Sequence, residues 1–98
     1  MPEMDVVAVL IAKRGSESIV AAALHDLVEP TRAEPGCMSY DLFSSAASPQ
    51  TFITKERWRS QDDLDAHMQT AHIQAALSAA GDHLAAAPGI HPLIADAS

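Results

Sequence analysis

The 98-residue sequence has few cysteine, basic and aromatic residues, and it contains no asparagine. Its single cysteine, Cys37, excludes a disulfide within the chain. The six Lys and Arg residues are scattered and are outnumbered by 13 Asp and Glu residues. Because no basic stripe is present, nucleic acids and anionic membrane surfaces are not expected partners.

Several motifs that carry enzyme chemistry are also missing. The sequence has no Gly-x-Ser-x-Gly elbow, no phosphate-binding loop, no dinucleotide-binding glycine fingerprint and no clustered metal-ligand motif. A flavin or nicotinamide enzyme is therefore not expected. No basic segment precedes the apolar run that begins at Val6, so we expect neither a signal peptide nor a transmembrane span. The cytoplasm is the default location.

The length fits a single domain over residues 1–98, with a core over about 5–95. The apolar run Val6–Ala12 predicts a strand that is covered on both faces. A helix is predicted from Glu17 to about Ala33, and Pro30 should kink or end it. Its buried face is marked by 4-3-4 spacing of Val20, Leu24, Leu27 and Thr31.

Two further strands are predicted over Cys37–Ser44 and Thr51–Trp58, joined as an antiparallel pair. By alternation, Cys37 should face away from Met38, Tyr40 and Leu42. A capping sequence at Ser60 predicts a second helix. That helix should be interrupted near Thr70, resume through Leu84 and end at Pro88-Gly89. Ile90–Ala95 should form the final strand, and the last three residues should be loose.

The element order βαββαβ predicts a ferredoxin-like α+β fold, with a four-stranded antiparallel sheet and both helices on one face. The opposite face of the sheet would then be bare. A bare sheet face with large apolar groups should meet a second sheet, so we predict a homodimer.

His67 and His72 are the candidate catalytic residues, since a neutral imidazole can act as a general base near pH 7. On a continuous helix they would lie about 140° apart. A shared metal site is therefore not predicted, unless the break near Thr70 rotates His72. The alternative for each histidine is a structural hydrogen bond that holds helix to sheet.

Trp58, Tyr40 and Glu56 are the candidate substrate-binding residues. Trp58 either stacks on a flat substrate or anchors the sheet to a helix. The Tyr40 hydroxyl either bonds a substrate oxygen or reaches solvent. Glu56 points beneath a helix by strand parity, so its carboxylate needs a partner, either a histidine or a backbone amide.

Three segments together resemble the antibiotic biosynthesis monooxygenase family, and the likeness extends from Val6 to about Ile94. They are Glu34-Pro35-Gly36-Cys37, Glu56-Arg57-Trp58, and Leu64-Asp65-Ala66-His67 with His72 beyond it. The resemblance implies a dimeric α+β barrel. It also implies oxidation of quinols or polyketide phenols by dioxygen, which many members perform without metal, flavin or haem.

On this resemblance, His67 or His72 would be the base, Tyr40 a hydrogen-bond donor and Trp58 the stacking wall. The expected partners are a small aromatic substrate and dioxygen, and no cofactor is expected. One difference is the lack of asparagine, a pocket residue in well-understood polyketide oxygenases and in the haem-degrading branch. The region near Leu77 also offers no axial histidine for haem.

Three functions remain open on the sequence. The first is a cofactor-independent monooxygenase acting on a quinol-like or phenolic substrate. The second is an isomerase that uses one histidine to move a proton in a small keto metabolite. The third is a non-catalytic, ligand-binding stress-response barrel. The sequence names neither the substrate nor which histidine is the base.

Overall fold

A computed structural model describes residues 3–96, which form a four-stranded antiparallel sheet with helices packed on one face. The strands are β1 (Met4–Ile11), β2 (Cys37–Ser44), β3 (Thr51–Trp58) and β4 (Gly89–Pro92), in the order β2-β3-β1-β4. The helices are α1 (Glu17–Arg32), α2 (Gln61–Met68) and α3 (Ala71–Ala80), followed by a 3₁₀ turn over Gly81–His83. This arrangement confirms the predicted ferredoxin-like fold.

Alternation along the central strands sets the buried face of the sheet. In β3 every second residue is buried, and in β1 the same holds from Val6 onward. Helix α1 packs on this face through the predicted stripe, which is fully buried. The buried residues of these three elements are Val6, Ala8, Leu10, Val20, Ala23, Leu24, Leu27, Thr31, Phe52, Thr54, Glu56 and Trp58.

The predicted end of α1 near Ala33 is confirmed. The helix continues past Pro30 to Arg32, because the exposed proline lies in the last turn and disturbs few helical hydrogen bonds. Two other predicted boundaries were wrong. Helix α3 ends at Ala80 rather than Pro88, because Gly81 starts a 3₁₀ turn and Leu84 pairs with Ala12.

The last strand is also shorter than predicted. It covers Gly89–Pro92 instead of Ile90–Ala95, because its pairing with β1 ends opposite Val6. Of the three terminal residues predicted to be loose, Asp96 lies outside the regular elements, and Ala97 and Ser98 lie outside the described residues.

A β-bulge at the start of β2 corrects the predicted side-chain directions. The register shifts between Cys37 and Ser39, and a bulge adds one residue to its strand, reversing the face of the residues before it. Cys37 therefore packs on the same side as Tyr40 and Trp58, whereas Met38 is largely exposed.

The other face of the sheet has no covering element among residues 3–96. Val7, Val9 and Ile53 are only half-buried there, and Ile11 and Phe43 are exposed. The prediction that β1 is covered on both faces thus does not hold within one chain. In the described part of the chain, no helix has the length and apolar character needed to cross a membrane.

Candidate active site

A cavity of about 660 Å³ lies between the helix-covered face of the sheet and the helices. Its wall is mostly aliphatic, with residues from β1, α1 and α3 and from the segment before β4. Among the described residues, the polar side chains that line it are those of Tyr40, Thr54, Glu56 and His67. Such a pocket suits a small, largely apolar ligand that is oriented by a few polar contacts.

The predicted interruption near Thr70 is confirmed, and it shapes one end of this cavity. The Thr70 hydroxyl donates to the His67 carbonyl oxygen at 2.7 Å and accepts from the Ile73 amide at 3.3 Å. Thr70 therefore closes α2 and is the N-cap of α3. This turn breaks the regular helical rotation between His67 and His72.

Both histidines meet the same carboxylate oxygen. Glu34 Oε2 lies 2.6 Å from His67 Nδ1 and 2.7 Å from His72 Nε2. An ionised carboxylate only accepts hydrogen bonds, so with Glu34 in that form each of these ring nitrogens carries a proton. The exposed fraction of the side chain rises from 3% at His67 to 12% at Glu34 and 24% at His72. The network thus runs from the interior to the surface.

The second nitrogen of His67 is left free by this arrangement. His67 lines the cavity, and Nε2 has no hydrogen-bond partner among residues 3–96. In that part of the chain, Thr31 Oγ1 is the one fully buried side-chain polar atom without a hydrogen-bond partner. His67 Nε2 also has no partner there, so it cannot be fully buried and must touch open space. With the proton on Nδ1, Nε2 presents an unprotonated nitrogen to the cavity.

Tyr40 places a hydroxyl group in the same cavity. Its ring centroid lies 6.0 Å from that of His67, and its hydroxyl makes no hydrogen bond to the described residues. Burial, and then the nearby negative charge of Glu56, raise the pKa of Tyr40 well above its ordinary value of 10.0. The hydroxyl therefore keeps its proton and remains a hydrogen-bond donor.

Trp58 and Glu56 lie behind these two groups and support them. Trp58 is fully buried and does not line the cavity, and its ring centroid lies 4.7 Å from that of His67. Its Nε1 donates to Glu56 Oε1 at 2.8 Å, and the Thr54 hydroxyl donates to Glu56 Oε2 at 2.5 Å. The expectation that Glu56 pairs with a histidine or a backbone amide was therefore wrong.

Cys37 is the last member of this group of side chains, and its thiol is unreactive. Burial, assisted by the negative charge of Glu34, raises the pKa of the Cys37 thiol to about 11. A thiol that keeps its proton near neutral pH is a poor nucleophile.

Glu34 is the site residue that the sequence reasoning did not identify as functional. It lies in the turn between α1 and β2, 33 residues from His67, so helical spacing gave no indication of their contact. The available signal was its position before Pro35-Gly36 at the end of a helix. A side chain at Gly36 would overlap Asp63, so glycine lets this turn approach the start of α2.

Fold and cavity together define a small α+β protein with a histidine–carboxylate network at the end of an apolar pocket. The chain belongs to the antibiotic biosynthesis monooxygenase family, whose model matches residues 5–79. It is 39% identical over 67 residues to “Putative monooxygenase Rv0793” of Mycobacterium tuberculosis, covering 68% of this chain and 65% of that protein.

A second relative has a similar name. “Putative monooxygenase YcnE” of Bacillus subtilis is 39% identical over 62 residues, covering 63% of this chain and 64% of that protein. An uncharacterized protein of Synechocystis, sll1783, matches over 40% of its length. The chain thus spans less than two thirds of the curated relatives that it matches.

Solved structures extend the likeness to nearly the whole chain. The structure of Rv0793 has a TM-score of 0.88 at 31% identity and covers 99% of this chain and 100% of that one. PA3566 from Pseudomonas aeruginosa has a TM-score of 0.89 at 28% identity and covers 99% and 97%. These likenesses agree with the ferredoxin-like sheet and with the family.

Proposed function

We propose that this protein is a cofactor-independent monooxygenase that oxidises a small quinol-like or phenolic aromatic substrate with dioxygen. Its membership of a monooxygenase family supports the reaction class. The observation that carries the proposal is His67, bound through Nδ1 to Glu34 while Nε2 opens into an apolar cavity. With Nδ1 held in this way, His67 Nε2 would take the proton from an aromatic hydroxyl of the substrate.

His67 is the proposed general base. A carboxylate on Nδ1 fixes the ring orientation and the tautomer, and it stabilises the imidazolium that forms when Nε2 takes a proton. Glu34 has this role, and the contact from His72 Nε2 holds the Glu34 carboxylate in place. His72 is therefore proposed as a positioning residue, and its place closer to solvent agrees with that role.

Tyr40 is the proposed donor to the substrate oxygen. A phenol ionises near pH 10, so the pocket must stabilise the phenolate as well as accept its proton. The protonated Tyr40 hydroxyl lies in the same cavity as His67 and can donate to that oxyanion. Because the cavity wall is largely aliphatic, this hydrogen bond competes with little water.

Electrons for dioxygen come from the substrate itself. The phenolate transfers an electron to dioxygen, and recombination at a ring carbon forms a C–O bond and a hydroperoxide. Loss of water then leaves a carbonyl, so that phenol and O₂ give quinone and H₂O. A hydroquinone gives a hydroxyquinone and H₂O by the same balance. The protein has only to supply the base, the donor and the orientation.

Trp58 is proposed to support this chemistry from behind the cavity wall, and Glu56 from the wall itself. The Trp58 ring packs against His67, and the hydrogen bond from Trp58 Nε1 to Glu56 fixes the Trp58 ring. Of the two roles considered for Trp58, this geometry favours the anchor between sheet and helix. Glu56 lines the cavity, but both of its oxygens already accept hydrogen bonds.

Oxygen consumption by metal-stripped protein with a reduced naphthoquinone tests the proposed function. We expect uptake above the rate of autoxidation, with one oxygen atom from ¹⁸O₂ in the product. A panel of reduced quinones and phenols of cavity size that gives no catalysed uptake would refute it. Proton exchange on a keto substrate without oxygen uptake would identify the isomerase, for which the same base and donor suffice.

We also propose that the chain acts as a homodimer. The uncovered sheet face exposes Ile11 and Phe43 and leaves Val7, Val9 and Ile53 half-buried. Contiguous apolar surface of this kind is commonly covered by a partner. Light scattering at micromolar concentration should give twice the chain mass. A mass of one chain would contradict the proposed dimer.

A further inference from the structure

We propose that Glu34, His67 and His72 bind one divalent transition-metal ion, such as Zn²⁺, on the side of His67 that faces away from the cavity. The three candidate ligand atoms are Glu34 Oε2, His67 Nδ1 and His72 Nε2, and all lie within 4.8 Å of one another. The metal would touch neither the substrate nor dioxygen in the cavity, but it would use the proposed base His67 and its partners Glu34 and His72 as ligands.

The ligand types select the class of metal. Two imidazole nitrogens and one carboxylate oxygen suit Zn²⁺ and neighbouring transition metals, whereas Mg²⁺ and Ca²⁺ prefer oxygen ligands throughout. Three protein ligands leave at least one coordination position for water. The exposure of His72 gives an ion a path from solvent.

The helix break at Thr70 makes this set of three metal ligands possible. Residues five apart on a continuous helix point in different directions, and Thr70 interrupts that rotation between the two histidines. Glu34 then reaches both rings from the turn after α1. Ligands thus come from three separate segments that the fold brings together.

Small movements would convert the hydrogen-bonded network into a metal site. The ligand atoms are now 2.6 and 2.7 Å apart, which is hydrogen-bond spacing. Around Zn²⁺, with bonds of about 2.0–2.1 Å, tetrahedral ligand atoms lie roughly 3.3 Å apart. Each of the two Glu34–histidine distances must therefore open by about 0.6–0.7 Å. His72 lies in the first turn of α3 and is part-exposed, so it can supply the movement in its own pair with Glu34.

Charge also favours a cation here. Within residues 3–96, Glu34 forms no ion pair with a lysine or arginine, and its partners are the two histidines. The buried Glu56 carboxylate is likewise bonded only to neutral groups. The negative charges of Glu34 and Glu56 both raise the pKa values of Tyr40 and Cys37, so the two carboxylates lie in one region. Arg32 also acts on Cys37, but it pairs with Glu29 and Asp41. A divalent ion would therefore offset the negative charge of Glu34 and Glu56.

Metal binding would change the tautomer of His67. A ring nitrogen that binds a metal has no proton, so the proton must move from Nδ1 to Nε2. The cavity would then face an N–H donor in place of a base. If the proposed function is correct, Zn²⁺ would be an inhibitor of turnover. This second consequence depends on the proposed function, whereas metal binding itself does not.

The first experiment is calorimetric titration of Zn²⁺ into metal-stripped protein that carries no histidine tag. We expect one Zn²⁺ per chain, with affinity reduced at least tenfold in His72→Ala and in Glu34→Gln. Both side chains are part-exposed, so these variants do not disturb the buried core. His25→Ala is the matched control, because His25 is exposed on α1 and should leave the affinity unchanged.

Two outcomes would overturn the metal site: no stoichiometric Zn²⁺ binding by the unmodified chain, or equal affinity in His72→Ala and the unmodified chain. Long-range ¹H–¹⁵N spectra of the histidine rings test the tautomer change separately. They should show the His67 proton on Nδ1 without metal and on Nε2 with Zn²⁺. An unchanged tautomer would refute the inhibitory role. Stoichiometric Zn²⁺ binding by a protein whose metal-stripped form catalyses no oxygen uptake with any tested quinol or phenol would refute only the proposed function.

Discussion

The interior of this small domain has two halves built on the same face of the same strands. One half is apolar, with Leu10 and Phe52 packed against Val20 and Leu24. In the other half, apolar side chains pack beside buried ionisable ones. The apolar residues are Val6, Trp58 and Leu64, and the ionisable residues are Tyr40, Glu56 and His67. Strand β3 passes from one to the other within eight residues. The contrast indicates that the apolar half carries stability and the polar half carries chemistry.

Burying polar groups is costly unless their hydrogen bonds are satisfied. Glu56 meets this requirement, since both of its oxygens accept a hydrogen bond. Glu34 meets it through two histidines. In this polar half the exceptions among the described residues are the Tyr40 hydroxyl and His67 Nε2, which keep contact with the cavity, whereas Thr31 Oγ1 on α1 is fully buried without a partner. A ligand would supply the partners that the Tyr40 hydroxyl and His67 Nε2 lack.

The largest effect is expected when His67 is replaced by alanine. If His67 is the general base, turnover of a reduced naphthoquinone should fall by roughly 10²–10⁴-fold. His25→Ala is the matched control and should leave turnover unchanged, because His25 is exposed and distant in sequence from the site. Steady-state oxygen uptake measures both. A folded His67→Ala protein with full turnover would remove His67 from the mechanism.

Val20→Ala tests the apolar half. Val20 is fully buried and does not line the cavity. Loss of two methyl groups should reduce the free energy of unfolding by about 2 kcal/mol, from lost burial and from the space left behind. Turnover per folded molecule should be unchanged. Urea unfolding and oxygen uptake measured on the same sample check both, and a large loss of turnover would show that the two halves are coupled.

Most of the fold could be predicted from the sequence, because hydrophobic periodicity reports local geometry. Strands β2 and β3 begin and end where predicted, and Thr70 does interrupt the second helix. The errors occur where tertiary contacts decide the outcome. Pairing of Leu84 with Ala12 shortens α3, and the bulge after Cys37 reverses its side chain.

The candidate site was only partly predictable for a similar reason. His67 and Tyr40 could be proposed from residue type and position, and both line the cavity. Glu34 could not, since its contacts with His67 and His72 span 33 and 38 residues of sequence. Strand parity placed Glu56 and Trp58 on one face but did not show that they bond to each other.

Trp58→Phe tests whether the polar half depends on its internal hydrogen bonds. An aromatic six-membered ring is kept, but the fused five-membered ring is lost, and with it Glu56 Oε1 loses the donor at Trp58 Nε1. A buried acceptor without its partner should lower the free energy of unfolding by about 1–2 kcal/mol. Turnover should also fall, because the ring packs against His67. Phe52→Leu in the apolar half is the control, and it should lower stability without changing turnover per folded molecule.

The last expected effect is a loss of stability at alkaline pH that originates in the polar half. Burial raises the pKa of the Cys37 thiol from an ordinary value of 9.0 to about 11, and burial also raises the pKa of Tyr40. The unfolded chain then loses these protons at lower pH than the folded chain. The folded protein should therefore be fully stabilised below about pH 9 and should lose this stabilisation as pH rises toward 11.

Unfolding free energies measured between neutral pH and pH 11 should distinguish the two halves. Cys37→Ala should flatten the decline over this range, and Tyr40→Phe should flatten its upper part, because each removes a group with a raised pKa. Val20→Ala should instead lower stability by the same amount at every pH, since it changes no proton equilibrium. If Cys37→Ala and Tyr40→Phe both kept the full slope, the alkaline loss would have to arise outside this cluster, and these two groups would hold their protons no more strongly than they do in an unfolded chain.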